Sequence, residues 1–386
     1  MSGRHQALTE CSQDEPSPWV YDIIREAARE PRELHPVLEE LKHLIESIPR
    51  LSMLFRSMLQ RPQDVDNNIM PKLRNYQHML QVLNFIIARP PPWNVNVIIK
   101  KLLDTWGAFL QSPESATKLN SDPDGWFNDV ALTNLTTAGN IGDTSYTFNE
   151  LYICNSAAPH YGFQSWDAFF TRRFRDHTRP IASPDDDSII TSPCEAAPAH
   201  TQTDLNPQDT FWIKKQTYSV TDMLGPYAPK FIGGTVYQGL LRVYNYHRWH
   251  APISGKILTT ITFPGTYFST PGALHPNLPA EVSGRVATFS GYNTAMGTRS
   301  LILIQADNPA LGAVAFLAVG MAEVSTCEIT IKEGDYVKKG DEIGMFHYGG
   351  STFCIFFEKG IDVREFPDVG SETVAVRAQL AVVVTS

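Results

Sequence analysis

The chain has 386 residues and a mass of 43.1 kDa, room for two or three domains and a sizeable buried core. Its 42% apolar and 19% charged residues argue against disorder, and 32 basic against 41 acidic side chains give a formal charge of -9. That balance excludes a binder whose affinity rests on neutralising nucleic-acid phosphates or an anionic membrane surface, and five scattered cysteines indicate neither a disulfide framework nor a zinc ribbon.

The first twenty residues carry Glu10, Asp14 and Glu15 and no apolar run, so neither a signal peptide nor a transit peptide is expected. Residues 1–34 read as a polar tail. From His35 to Arg61, Leu38, Leu41, Leu44, Ile45, Ile48, Leu51, Phe55 and Leu59 recur at three- and four-residue steps, the period of one helical face. Pro49 should kink or split that helix, because its ring removes a hydrogen bond and crowds the carbonyl four residues back. A second helix is expected over Pro71 to Ala88, closed by Pro90, Pro91 and Pro92, and a third over Val95 to Leu110, closed by Ser112 and Pro113. Residues 35–155 thus read as a helical N-terminal domain.

Tyr161 to Pro180 mixes Trp166, Phe169, Phe170 and Phe174 with Arg172, Arg173, Arg175 and Arg179, a short helix running into a loop. Such a cluster can bind nucleic acid, but within an acidic protein it suits helix packing with internal ion pairs. From Thr191 onward the texture changes to short runs rich in Val, Ile, Thr, Tyr and Phe between Gly, Pro and Asn: Gly234 to Tyr246, Ile257 to Phe263, Val282 to Phe289, Arg299 to Gln305 and Ala313 to Val319. These are strands, so the fold class is α+β. The longest apolar run, Leu311 to Ala322, falls short of the roughly 20 residues that span a bilayer, and a cytoplasmic location is expected.

Gly334 to Gly344 forms a strand, turn and strand pattern of the kind found in lipoyl- and biotinyl-like barrels, with glycines where a tight turn needs them. A carrier module would need an isolated lysine at a hairpin tip, and Lys338 and Lys339 do not provide one. Three islands could carry chemistry. In the first, Thr191, Ser192, Pro193, Cys194, Glu195 and Ala196, a carboxylate sits among small and apolar residues; it could charge-stabilise an imidazole or be a turn glutamate. In the second, Tyr246, His247, Arg248, Trp249 and His250, two histidines stand three apart, suited to general acid/base work, to half a metal site without visible further ligands, or to a satisfied core. In the third, Gly349, Gly350, Ser351 and Thr352, two glycines allow close approach to the carbonyl before a serine; the alternative is a solvated turn. Phe353 departs from the Gly-x-Ser-x-Gly elbow of the α/β-hydrolases.

Taken together, in this order, the islands resemble the pyruvoyl-dependent phosphatidylserine decarboxylase family. Ser192 to Glu195 is similar to its Ser-Pro-x-Asp motif with Glu for Asp, Tyr246 to His250 to its Tyr-His-Arg-x-His motif, and Gly350 to Thr352 to its Gly-Ser-Thr. Leu103 to Gly107, Ala157 to Phe163, Phe263 to Phe268 and Gly344 to Ser351 look like the soluble fungal branch that decarboxylates L-tryptophan. The resemblance implies a helical domain followed by a β-rich catalytic domain over 156–386, with a barrel-sandwich-like C-terminal part and self-cleavage between Gly350 and Ser351. It implies that His250, oriented by Glu195, deprotonates Ser351, whose oxygen attacks the Gly350 carbonyl; elimination and hydrolysis then leave a pyruvoyl group at 351, with ammonia lost. That ketone is the electron sink for decarboxylation, with neither pyridoxal phosphate nor a metal expected, and His247 is the candidate proton donor. The implied substrate is a free aromatic amino acid, with phosphatidylserine as the same-chemistry alternative; the two fragments are expected to stay associated, and homo-oligomerisation is left open. Outside this chemistry stand a Ser-His-Glu hydrolase and a non-catalytic lipoyl-like module.

Overall fold

The computed structural model describes residues 18–29, 31–34, 36–47, 52–53, 75–87, 93–211, 216–265, 297–320, 326–347 and 351–384. The chain divides into two compact units, residues 1–90 with 272–280 and residues 91–271 with 281–386.

In the first unit, α1 (Pro18–Arg29), α2 (Pro36–Ser47) and α3 (Tyr76–Ile87) are helical. The kink or split expected at Pro49, and most of the expected continuation to Arg61, lie outside the described residues. α3 begins with Asn75 Oδ1 accepting the His78 N–H at 2.8 Å, a side-chain cap for an otherwise orphaned donor. Leu38, Ile45, Tyr76 and Leu80 form the buried cluster. α1 lies within the segment read as a polar tail; His78 of α3 bonds the Ile24 carbonyl at 2.9 Å, and Ala27 is buried.

The second unit carries α4 (Trp93–Gln111), α5 (Asp129–Gly139) and the short α6 (Trp166–Phe170), whose cap Ser165 accepts the Ala168 N–H. Its strands are β1 (Ile189–Thr191), β2 (Ala197–Gln202), β3 (Gln208–Phe211), β4 (Gln216–Ser219), β5 (Thr235–Leu241), β6 (Arg248–His250), β7 (Gly255–Phe263) and β8 (Arg299–Ala306). They continue with β9 (Ala313–Gly320), β10 (Thr326–Ile329), β11 (Tyr336–Val337), β12 (Glu342–His347), β13 (Ser351–Phe357), β14 (Val363–Arg364) and β15 (Gln379–Val383). The main sheet is antiparallel and seven-stranded, ordered β11-β7-β8-β9-β13-β5-β2; β10-β12-β6 forms a second sheet. The expected strand Val282 to Phe289 lies outside the described residues.

Both faces of the main sheet are covered, which is why its central strands read as near-continuous apolar runs. Side chains alternate. Ile302, Ile304, Val314, Phe316, Ala318, Phe353 and Ile355 pack with Trp249, Ile343 and Phe346 of the second sheet. Leu301, Leu303, Ala315, Leu317, Val319, Cys354 and Phe356 pack on the opposite face with Met223, Leu224 and Phe231. The α+β class expected from the sequence is observed.

Candidate active site

Ser351 opens β13, a central strand, and pairs with Leu241 of β5 on one side and Gly320 of β9 on the other. Its residue is fully buried, and its Oγ has no hydrogen-bond partner among the described residues. The next hydroxyl is in the opposite condition: Thr352 Oγ1 donates to the Gly239 carbonyl at 2.8 Å and accepts from Gln238 Nε2 at 3.0 Å. A buried hydroxyl left unpaired costs about 1–3 kcal/mol, so the exception at Ser351 calls for a chemical reason. Gly349 and Gly350 lie outside the described residues.

Alternation along β13 puts Ser351 on the face of Phe353 and Ile355, toward the second sheet. On that sheet Trp249 points into the shared core, and His247, two residues earlier, follows the same parity; the Phe346 N–H donates to the His247 carbonyl at 2.9 Å and extends the ladder to it. His250 has the opposite parity.

The His250 ring is held at both nitrogens. Nδ1 lies 2.8 Å from the Gly340 carbonyl and 3.2 Å from Arg377 Nε, and Nε2 lies 3.0 Å from the Tyr246 hydroxyl. A carbonyl can only accept, so the ring proton is placed on Nδ1 and Nε2 accepts from the phenol. Gly340 is one of the turn glycines noted in the sequence: its φ is +87°, and a Cβ there would meet Ile181 Cδ1 at 2.5 Å. Arg377 Nε donates to the same carbonyl at 3.0 Å. Burial, and then the Arg377 charge, push the imidazole pKa down to about 4, so the ring is neutral at physiological pH. Burial also lifts the Tyr246 phenol far above its ordinary range, which keeps it a donor.

Glu195 is fully buried, and its carboxylate takes Arg179 Nε at 2.6 Å and Nη2 at 3.0 Å. Burial raises its pKa, while the Arg179 charge and hydrogen bonds and the Val376 N–H pull the other way. The orienting bond to His250 that the resemblance implied for Glu195 is made instead by Gly340. The physical reason is the donor set, since the two-pronged guanidinium matches a carboxylate better than a single imidazole N–H does. Glu195 reaches the histidine through packing: the Arg179 guanidinium lies 3.9 Å from the Phe174 ring centre, and Phe174 packs on Tyr246 at 4.7 Å.

His247 is buried, and its ring stacks on Phe170 at 4.1 Å and 20°. Phe170 in turn stacks on Trp166 at 5.1 Å and 19°. Sequence reasoning gave no role to His347, four residues before Ser351. Its Nδ1 meets Asp167 Oδ1 and its Nε2 meets Glu328 Oε2, both at 2.8 Å. Burial disfavours its charge, but the two carboxylates outweigh burial and raise its pKa. The signal available in the sequence was its place within the Gly344 to Ser351 stretch. The partners are 180 and 19 residues away, beyond any local pattern.

Among the described residues, Ser351 thus presents a buried hydroxyl that no histidine hydrogen-bonds, and His250 a buried neutral imidazole whose partners are Gly340 and Tyr246. The family model described as phosphatidylserine decarboxylase matches residues 166–379, more than half the chain, and a second phosphatidylserine decarboxylase model matches residues 35–95 and 94–135. The chain belongs to the phosphatidylserine decarboxylase family and is a carboxy-lyase. It is 41% identical over 272 residues to decarboxylase iboD of Amanita muscaria, covering 68% of this chain and 76% of that protein. To the L-tryptophan decarboxylase of Psilocybe cubensis it is 33% identical over 362 residues, covering 83% of this chain and 80% of that protein. Phosphatidylserine decarboxylase proenzyme 3 of Schizosaccharomyces pombe is 30% identical over 216 residues, covering 55% of this chain and 21% of that protein. Among the described residues no helix is long and apolar enough to cross a membrane.

Proposed function

We propose that the chain cuts itself between Gly350 and Ser351, carries the resulting pyruvoyl group at position 351, and decarboxylates a free aromatic L-amino acid of the tryptophan type. The observation that carries this reading is the unpaired, fully buried Ser351 hydroxyl at the first position of β13. The residues present fit the group: a side chain sealed from water, on a rigid central strand, directly after two glycines that permit close approach to the scissile carbonyl. A pyruvoyl group there supplies a ketone, the electron sink that carbon–carboxylate cleavage requires.

The chain's own residues divide the proton work. His250 is assigned the base role because its Nδ1–H is committed to Gly340 and its low pKa keeps it neutral. Its Nε2 lone pair is engaged by the Tyr246 hydroxyl, so a proton taken from Ser351 reaches it only by exchange with that phenol. His247 shares the face of Ser351 and lies on the aromatic stack, a position that suits proton delivery to a product bound there. Glu195 acts as a positioning residue through Arg179, Phe174 and Tyr246. The amino-acid substrate is supported by the likeness to the L-tryptophan decarboxylase of Psilocybe cubensis, of which this chain covers 80%.

Denaturing mass spectrometry tests the reading. The wild type is expected as two pieces, residues 1–350 and 351–386, the smaller bearing a borohydride-reducible carbonyl. Ser351→Ala is expected as one 43.1 kDa chain. His250→Gln is expected to cut slowly or not at all, and His247→Gln to cut but release little CO2. An intact wild type ends the proposal, and CO2 released from phosphatidylserine vesicles but from no free amino acid reassigns the substrate.

A further inference from the structure

The aromatic stack that terminates on His247 begins, at its other end, in the wall of a cavity of about 390 Å³. Trp106 and Phe109 of α4, Trp126, Trp166 and Phe170, and Val243 line it. We propose that this cavity receives the aromatic side chain of the substrate; the inference rests on the decarboxylase reading above and assigns the residues that set its substrate class.

Two independent tethers hold the cavity close to the proposed reaction centre. Phe170 lines the cavity and stacks on both the His247 ring and Trp166. Val243 follows two residues after Leu241, the strand partner of Ser351. Two residues of chain reach at most roughly 7 Å. Adding an interstrand spacing of about 5 Å, the Ser351 backbone lies within about 12 Å of this wall. An extended amino acid with a large ring bridges that interval with its ring in the cavity and its amine toward position 351.

The lining selects by chemistry. Its three polar side chains are already engaged: Ser115 Oγ donates to the Leu110 carbonyl at 2.8 Å and accepts the Trp166 N–H at 2.8 Å, Thr117 Oγ1 donates to the Glu114 carbonyl at 3.1 Å, and Lys118 Nζ pairs with Asp124 at 2.5 Å. A charged side chain entering here would be desolvated without compensation, whereas an aromatic one exchanges water for ring contacts. Trp126 and Trp166 meet edge to face, 5.6 Å apart at 69°, and so offer both a ring face and a ring edge to a third ring. The volume lies within the ~300–1,000 Å³ typical of small-molecule sites. Trp106 and Phe109 are 45% and 50% exposed.

Val243→Trp, which fills the cavity, and Phe109→Ala, which removes one wall, alter half-exposed positions. Melting temperature and completeness of self-cleavage report whether each variant folds. Indole binding to uncut Ser351→Ala protein is read by calorimetry, and kcat/KM is read for tryptophan and phenylalanine in the self-cleaved protein. Val243→Trp is expected to weaken indole binding at least tenfold and to lower the tryptophan-to-phenylalanine ratio of kcat/KM at least tenfold. Phe109→Ala is expected to weaken indole binding threefold or more. Turnover of tryptophan with both ratio and indole affinity at wild-type values in both variants overturns the cavity assignment alone. Turnover of phosphatidylserine but of no free amino acid, with variants that lose vesicle binding in place of indole binding, overturns it together with the substrate reading beneath it.

Discussion

Acid should weaken this fold through His250 by an amount that its surroundings set. The ring is 4% exposed, and its pKa falls from 6.5 to about 4 because burial and then Arg377 disfavour the charged form. The unfolded chain, with the ordinary value, takes up a proton that the folded chain refuses. A depressed folded-state pKa means stability that is complete above pH 6.5 and is lost as pH falls toward 4. The gap of about 2.5 pH units, at about 1.36 kcal/mol each, comes to roughly 3 kcal/mol. Urea unfolding of Ser351→Ala and of Ser351→Ala/His250→Gln, from pH 7 down to pH 4, isolates the contribution, since glutamine cannot titrate and both chains stay uncut. The difference between the two unfolding free energies is expected to shrink by roughly 3 kcal/mol across that range. Parallel curves would refute the reasoning, and with it the neutral tautomer that makes His250 a base.

His347 should behave with the opposite sign: its pKa is raised, so its contribution is complete below the ordinary histidine value and is lost as pH rises through the raised one. Unfolding curves of His347→Gln are therefore expected to lack an alkaline loss that the parent shows above neutral pH. Glu195→Ala leaves the buried Arg179 guanidinium without its carboxylate and is expected to cost about 3–5 kcal/mol in urea unfolding; removing both partners with an apolar pair should cost less. The two self-cleavage pieces are expected to co-elute on native size exclusion and to separate only in denaturant, because β13 is hydrogen-bonded on both sides along its length.

Legibility followed the range of the interaction. Arg299 to Gln305 and Ala313 to Val319 announced β8 and β9 because apolar residues, Ile, Val and Phe among them, fill both faces of a buried strand. The glycines at 334 and 340 were readable as turn positions, and both have positive φ. α1 was missed because the polar residues ahead of it set the reading of residues 1–34, although its own Ile24 and Ala27 stand at helical spacing. The arginine cluster read as helix packing with internal ion pairs finds Arg173 on Glu342 and Arg179 on Glu195. No local pattern could reveal which acid those arginines meet, that Gly340 rather than Glu195 holds His250, or that Asp167 and Glu328 close on His347, since each partner arrives only when distant strands assemble.

The placement of Ser351 at the head of an interior strand also bears on reversibility. An uncut chain that melts can thread β13 back between β9 and β5 as one molecule, with the connecting backbone keeping the strand close at hand. Once severed, the same strand must be recaptured from dilute solution by a partner that exposes apolar sheet while it waits, so refolding competes with aggregation. Maturation would then turn a fold that can equilibrate into one that survives only by unfolding slowly.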